Sequence, residues 1–247
     1  MEGLSKTQID KAESRDFAKV PGRSLRPRDA ATLILIDRGG GEVRVLMGRR
    51  SARHAFMPGR YVFPGGRTDP ADSRVPVAAG LPPEEEALLL NAGSRASAAR
   101  ARAIALSAVR ETYEEAGLLI GRPGPFATAK PHWQGFVEHG VQPSLEGLRF
   151  VARAITPPGR VRRFDTRFLA AWRDDVAVAL PEGGPTNELE ELLWLPLPRA
   201  MELDIPLITR SVLGDLQARL AVDPDLRPGG SVPFYRMRGN KFLRDFL

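Results

Sequence analysis

Apolar residues in the first quarter of the chain fall into short runs of the kind that form β-strands. Residues 31–36 read Ala-Thr-Leu-Ile-Leu-Ile and residues 43–47 read Val-Arg-Val-Leu-Met. Three consecutive glycines lie between them within 37–42, which is typical of a hairpin turn. A third short run, at 60–63, ends in Pro64-Gly65-Gly66. The pattern predicts a hairpin, then a short strand and a glycine-rich loop.

A helical pattern follows further along the chain. Small or apolar residues recur at the three- and four-residue spacing of one helix face, at 104, 105, 108, 109, 112 and 116. This spacing predicts an amphipathic helix with a charged opposite face. Ser97 is placed to cap the first turn of this helix, and Gly117 is placed to end it. Residues 73–103 are rich in proline, acidic residues and alanine, and we interpret them as an inserted helical segment.

The second half of the chain continues the mixture of strands and helices. Strands are predicted at 164–172, 176–180 and 189–195, and an amphipathic helix at 208–222, before a Pro-Gly-Gly break at 228–230. This mixture predicts an α/β fold. We divide the chain into an N-terminal arm, 1–29, and one domain, 30–247, with the insertion at about 73–103 and a C-terminal helix and tail at about 205–247.

Composition restricts the chemistry that this chain can perform. The chain has 247 residues, 43% of them hydrophobic, which is enough to bury a core. No run of apolar residues is long enough to span a membrane, and the N-terminus lacks an apolar segment, so we expect a soluble, cytoplasmic protein. There is no cysteine, and the three histidines, His54, His132 and His139, are scattered. Any metal must therefore be held by oxygen ligands.

The chain carries a net charge of +6, and 31 of its 36 basic residues are arginine. Arginine suits phosphate ligands because its guanidinium group donates two parallel hydrogen bonds. A nucleotide bias in the coding sequence would produce the same excess, and both explanations stay open. The arginines are spread along the chain and no nucleic-acid-binding motif accompanies them, so we do not expect a nucleic-acid partner.

Carboxylates concentrate in the segment Arg110-Glu-Thr-Tyr-Glu-Glu-Ala-Gly-Leu118. On a helix, Glu111, Glu114 and Glu115 stand at i, i+3 and i+4, which predicts three carboxylates on one face within a turn. Such a cluster is tolerated best when a cation lies among the carboxylates, and oxygen ligands favour Mg²⁺ or Mn²⁺. The alternative is an exposed helix face on which Arg and Glu side chains pair with one another.

Together with the glycine-rich loop, this segment resembles the Nudix hydrolase family, whose box reads Gly-x5-Glu-x7-Arg-Glu-U-x-Glu-Glu-x-Gly-U with U apolar. Counting from Gly66 puts Asp72 at the first acidic position, and Arg110 to Leu118 supply the second half of the box. The chain departs from the pattern in three ways. Position 72 is Asp, position 112 is Thr, and the spacer is expanded to the 37 residues Ser73 to Val109.

The resemblance implies an α/β/α sandwich with a mixed sheet, and hydrolysis of the diphosphate bond in a nucleoside diphosphate linked to another moiety. It implies that Mg²⁺ or Mn²⁺ is held by Glu111, Glu114 and Glu115. The catalytic residues it implies are Glu114, Glu115 and, as a general base from outside the box, Glu188. Substrate-binding residues would be Gly65, Gly66, Arg67, Arg163 and Arg167, and Asp72 holds the first acidic position.

The interrupted box and the later segment Arg163-Phe-Asp-Thr-Arg-Phe168 resemble the peroxisomal branch of the family, which hydrolyses coenzyme A and its acyl esters. Two alternatives remain open: a pyrophosphatase for dinucleotides of the ADP-ribose or NADH type, and a Nudix-like module that binds nucleotides without catalysis. A homodimer and a monomer are both compatible with the sequence.

Overall fold

A computed structural model describes residues 2–13, 25–53, 57–91 and 96–247. The predicted arm lies partly outside these ranges, and His54 lies outside them altogether. The strands are, in chain order, β1 Arg28–Asp37, β2 Arg44–Arg50, β3 Tyr61–Val62, β4 Gly65–Arg67, β5 Leu118–Pro123, β6 Val141–Pro143, β7 Arg149–Ile155, β8 Phe164–Trp172, β9 Val176–Ala179, β10 Leu189–Pro196, β11 Pro233–Arg238 and β12 Lys241–Phe246. The helices are α1 Lys6–Ala12, α2 Pro83–Asn91, α3 Ala98–Ala116, α4 Gln134–Glu138, α5 Leu197–Glu202 and α6 Leu207–Val222.

The larger sheet is mixed and has β1 near its centre. Its strands follow the order β10-β2-β1-β8-β7-β11-β12, while β3 pairs with β2 and β4 pairs with β1. β1 runs parallel to β8 and antiparallel to β2 and β4. Leu33, Ile34, Leu35 and Ile36 are all fully buried, because a central strand covered on both faces needs a continuous apolar run.

Two apolar cores lie on opposite faces of this sheet. Leu33 and Leu35 share one core with α3, whereas Ile34 and Ile36 share the other with α6. The separation follows from the strand itself, since successive side chains of a strand point to opposite faces. The architecture is the α/β/α sandwich with a mixed sheet that the sequence predicts.

The helix that carries the carboxylates has the predicted ends. The Ser97 hydroxyl accepts a hydrogen bond from the Arg100 backbone N–H, and Gly117 adopts a left-handed conformation with φ of 70°. The helix begins at Ala98, so the last residues of the predicted insertion, 98–103, are its first turns. The remainder of the insertion contains α2. A short 3-10 turn at Pro70–Arg74 leads into the insertion.

The chain termini differ from the prediction. The C-terminal tail forms a hairpin of β11 and β12, and β11 adds to β7, a strand that the pattern analysis missed. At the other end, Ile9 of α1 is fully buried and Asp10 pairs with Arg160 at 2.9 Å, so this part of the arm packs onto the domain.

Among the described residues, no helix is long and apolar enough to cross a membrane.

Truncating a side chain at the centre of the sheet should destabilise the protein strongly. We expect Leu33→Ala to lower the free energy of unfolding by about 2–5 kcal/mol, because it leaves a cavity between β1 and α3. Val222→Ala, at a position that is 80% exposed, is the control and should change it by less than about 0.5 kcal/mol. Urea denaturation measures both, and equal effects would contradict the assignment of β1 as the central strand.

Candidate active site

The glycine-rich loop lies directly against α3. The Gly65 N–H donates a hydrogen bond to Glu115 Oε2 at 3.0 Å. A Cβ atom at Gly66 would lie 2.5 Å from the Glu111 carboxylate, and one at Gly65 would lie 2.6 Å from the Ala31 carbonyl oxygen. Gly65 requires glycine because its neighbours there are backbone atoms of β1, whereas a side chain at Gly66 would displace the flexible end of Glu111. The loop thereby holds two carboxylates of α3 in place.

Beside this loop is a cleft of about 480 Å³, which we call the carboxylate cleft. Glu111 and Glu115 line it from α3, and Glu188 lines it from the segment that leads into β10. Arg50, at the end of β2, also lines it and pairs with Glu188 at 3.3 Å. Two acidic side chains from one turn of α3 therefore meet a third, Glu188, that is distant in the sequence.

The electrostatics of the cleft are unfavourable to these carboxylates. Burial raises the pKa of Glu115 well above its usual range, and the charges of Glu111 and Glu188 raise it further, against the Gly65 N–H and Arg50. Burial also raises the pKa of Glu111, and nearby Arg110 only partly offsets this. The cleft thus concentrates negative charge that its protein neighbours do not fully neutralise.

Glu114 does not share the cleft with its two neighbours on α3. Its Oε2 accepts a hydrogen bond from Arg110 Nη1 at 2.6 Å, and its Oε1 lies 2.9 Å from His132 Nδ1. Successive residues of a helix point about 100° apart, so Glu114 and Glu115 face different surroundings. Glu111 and Glu114 both contact Arg110, at 2.8 and 2.6 Å, but only Glu111 and Glu115 of the three α3 carboxylates line the cleft. The described part of the chain contains no group of three or more acidic, His or Cys side chains arranged to hold a metal ion.

Asp72 is buried and fully engaged, away from the cleft. Its Oδ2 accepts a hydrogen bond from Arg110 Nε at 3.1 Å, and its Oδ1 accepts one from Trp133 Nε1 at 2.9 Å. Asp72 therefore orients Arg110. Trp133 had no signal in the sequence, because it comes from a turn 61 residues away from Asp72.

The three predicted substrate-binding arginines occupy different places. Arg67 is exposed and lines the cleft beside Gly66. Arg167 is 1% exposed and pairs with Asp29 and Asp165, so the prediction that it contacts substrate is wrong. Successive residues of a strand point to opposite faces of the sheet, so Arg167 of β8 points away from the face of its neighbour Phe168.

Arg163 lies outside the carboxylate cleft as well. Its guanidinium donates to the carbonyl oxygens of Thr156 and Leu25, and it lines a neighbouring groove. Its neighbour Arg162 lines both this groove and the cleft. Pattern analysis missed both Arg162 and Arg50, since a strand end and a loop give no periodic signal that separates one arginine from the next.

The fold is similar to that of proteins of known structure. No family model matches the chain. A Nudix hydrolase from Alicyclobacillus acidocaldarius is 28% identical, with a TM-score of 0.58, covering 78% of this chain and 92% of that one. An Ap4A hydrolase from C. elegans is 16% identical, with a TM-score of 0.41, covering 78% and 99%. NrtR from Shewanella oneidensis, solved with a 27mer DNA, is 11% identical, with a TM-score of 0.42, covering 84% and 70%.

The fold is that of the Nudix hydrolases, and the match to the Alicyclobacillus acidocaldarius structure supports a Nudix hydrolase. The prediction that nucleic acid is not a partner gains no support from these matches and stays a prediction.

Adding one methyl group to the loop should disturb the cleft. We expect Gly66→Ala to lower diphosphate hydrolysis by about 10²-fold, because its Cβ would displace the Glu111 carboxylate from its position. The control is Gly80→Ala, since nothing lies within 4 Å of a Cβ there. Steady-state kinetics at a saturating metal concentration compares the two, and wild-type kcat/KM in Gly66→Ala would contradict this placement of Glu111.

Proposed function

We propose that the carboxylate cleft hydrolyses the diphosphate bond of a nucleoside diphosphate linked to another moiety, with a divalent cation held by Glu111 and Glu115. One observation carries the proposal: two buried carboxylates with raised pKa values face a cleft beside a close-packed glycine loop. A diphosphate is itself anionic, so it can bind here when a cation offsets the charge of both partners.

Mg²⁺ or Mn²⁺ fits this donor set, because the described lining of the cleft offers carboxylate oxygens and no imidazole or thiolate, and its one sulfur is the thioether of Met57. Glu111 and Glu115 are one helical turn apart, which is a spacing suited to ligands of one ion or of adjacent ions. When bound, the metal would withdraw charge from the diphosphate and lower the pKa of a bound water.

Glu188 is the candidate general base. It lines the cleft opposite the two α3 carboxylates, and its ion pair with Arg50 orients it there. In this role Glu188 accepts the proton of the attacking water. Glu114, which the sequence analysis placed among catalytic and metal-binding residues, is reassigned as a positioning residue because it contacts Arg110 and His132.

The side chains of β8 that line the cleft indicate the kind of substrate that suits it. Phe164, Thr166 and Phe168, at alternate positions of this strand, line the cleft, whereas Asp165 and Arg167 are buried in ion pairs. A largely apolar wall beside a charged site suits a substrate with a diphosphate and a long organic moiety, and the proposed substrate is coenzyme A or an acyl-coenzyme A. ADP-ribose or NADH is the second candidate.

Neutralising the cleft carboxylates should abolish most activity. We expect Glu111→Gln and Glu115→Gln each to lower kcat by about 10²-fold or more, since a group that binds the metal acts at the transition state. Glu114→Gln should cost less, because it acts through Arg110. Glu202→Gln, whose side chain is 62% exposed, is the matched control and should retain wild-type kcat.

The Glu188→Gln variant tests whether Glu188 acts as a general base or as a metal ligand. Glu188→Gln should lower kcat and shift the acid limb of the pH profile, while the Mg²⁺ concentration for half-maximal activity stays constant. The assay compares coenzyme A, an acyl-coenzyme A, ADP-ribose and NADH with Mg²⁺, Mn²⁺ or EDTA. Full activity in EDTA, or wild-type kcat in Glu111→Gln and Glu115→Gln, would contradict the proposed site. Tight nucleotide binding without turnover would favour a non-catalytic module.

Stability should depend on pH through Glu115. Its folded pKa lies above the unfolded value of about 4.3, so ionisation costs stability as the pH rises through the folded pKa. In EDTA we expect Glu115→Gln to have a higher Tm than wild type above the folded pKa, and the difference should vanish below about pH 4. Saturating Mg²⁺ should stabilise wild type more than the variant. Thermal unfolding from pH 4 to 8 measures both effects, and a pH-independent difference would refute this account.

A further inference from the structure

A second concavity of about 1360 Å³ adjoins the carboxylate cleft, and we call it the arginine groove. Six arginines line it: Arg26, Arg28, Arg67, Arg100, Arg162 and Arg163. Asp29 is the one acidic side chain among its described lining residues. The groove therefore concentrates positive charge, in contrast to the negative charge of the cleft.

The groove and the cleft are continuous. Arg67, Arg162 and Phe164 line both of them. Strand register gives the spacing: Arg28 of β1 pairs with Phe164, while Ala30, in the floor of the cleft, pairs with Arg67. Two residues of a strand span about 7 Å, so the groove begins roughly one sugar unit from the cleft floor.

The one acidic side chain is already shared between two cations. Asp29 accepts hydrogen bonds from Arg100 at 2.6 and 2.7 Å and from Arg167 at 2.9 Å. Burial alone would raise the pKa of Asp29, but these two arginines lower it overall, so it stays ionised between them. Its charge offsets Arg100 and Arg167, and it forms no ion pair with Arg26, Arg28 or Arg67 among the described residues.

Three groove arginines have no side-chain partner within the described part of the chain. None of the described residues forms an ion pair or side-chain hydrogen bond with the guanidinium of Arg26, Arg28 or Arg67, and all three are exposed. Guanidinium groups that converge without a counter-charge match the oxygens of a phosphate monoester, to which each can donate two hydrogen bonds.

We propose that the arginine groove binds a phosphate monoester on the ribose of the substrate, so that the enzyme prefers nucleoside diphosphate derivatives bearing this additional phosphate. The inference rests on the proposed function, because it assigns the diphosphate of the same molecule to the carboxylate cleft. The basic residues converge on one concavity beside the cleft, with Leu25, Pro27 and Val161 among them, which fits one nucleotide.

The test uses substrate pairs that differ by one phosphate: coenzyme A against dephospho-coenzyme A, and NADPH against NADH. We expect kcat/KM to favour the phosphorylated member of at least one pair by roughly tenfold or more, as charge-assisted hydrogen bonds provide. In Arg26→Gln/Arg28→Gln, this ratio should fall towards one. Arg238→Gln, an exposed arginine on the β11–β12 hairpin, is the matched control and should keep the wild-type ratio.

A binding measurement separates this inference from the proposed function. Calorimetry in EDTA compares 3′,5′-ADP with AMP, and we expect tighter binding of 3′,5′-ADP that is lost in Arg26→Gln/Arg28→Gln. If no diphosphate is hydrolysed but this preference is found, the proposed function fails and the groove assignment stands. If both members of each pair are hydrolysed equally and both nucleotides bind equally, the groove assignment is overturned alone.

A polynucleotide is the competing occupant. An RNA oligonucleotide with a 5′-diphosphate would be expected to bind with a steep dependence on salt, since it neutralises several arginines at once. Binding of this RNA more tightly than 3′,5′-ADP, with a salt dependence that decreases in Arg26→Gln/Arg28→Gln, would overturn the assignment to a small nucleotide.

Discussion

The site depends on the ion pairs that Arg110 forms. Arg110 contacts Asp72, Glu111 and Glu114 at 3.1, 2.8 and 2.6 Å while it is itself almost fully buried. Burial opposes its charge, yet the three carboxylates raise its pKa, so it stays protonated. Without this cation, the acidic residues on α3 and before it would repel one another in a buried setting. One guanidinium therefore joins the loop to the helix.

A second ion network sets the other wall of the site. Arg100, Asp29, Arg167 and Asp165 connect the start of α3 to β1 and β8, and Arg153 of β7 completes the series by pairing with Asp165 at 2.8 Å. These pairs hold the first turn of the helix while Arg110 holds its last turns. Because both ends of α3 are anchored, Glu111 and Glu115 keep their positions relative to β4.

The sequence pattern predicted those features that depend on residues close together in the chain. The ends of α3 followed from Ser97 and Gly117, and β1 followed from its apolar run, since caps and burial patterns are properties of neighbouring residues. The direction of Glu114 and the burial of Arg167 depended on partners such as His132 and Asp29, which are distant in sequence. The hairpin of β11 and β12 was missed although its signal is local, since the two residues Gly239-Asn240 connect the paired residues Arg238 and Lys241.

The contact between Asp72 and Arg110 has a consequence for the segment that separates them. Lengthening a flexible connection from 7 to the 37 residues seen here costs only about 1.5 kcal/mol in chain entropy. The segment recovers part of this through Leu89 in the core and through Glu85, which accepts hydrogen bonds from the N–H groups of Phe150 and Gly229. Since an ion pair rather than chain connectivity aligns loop and helix, the part of this segment that precedes α3 can change in length while the geometry of the acidic pair persists.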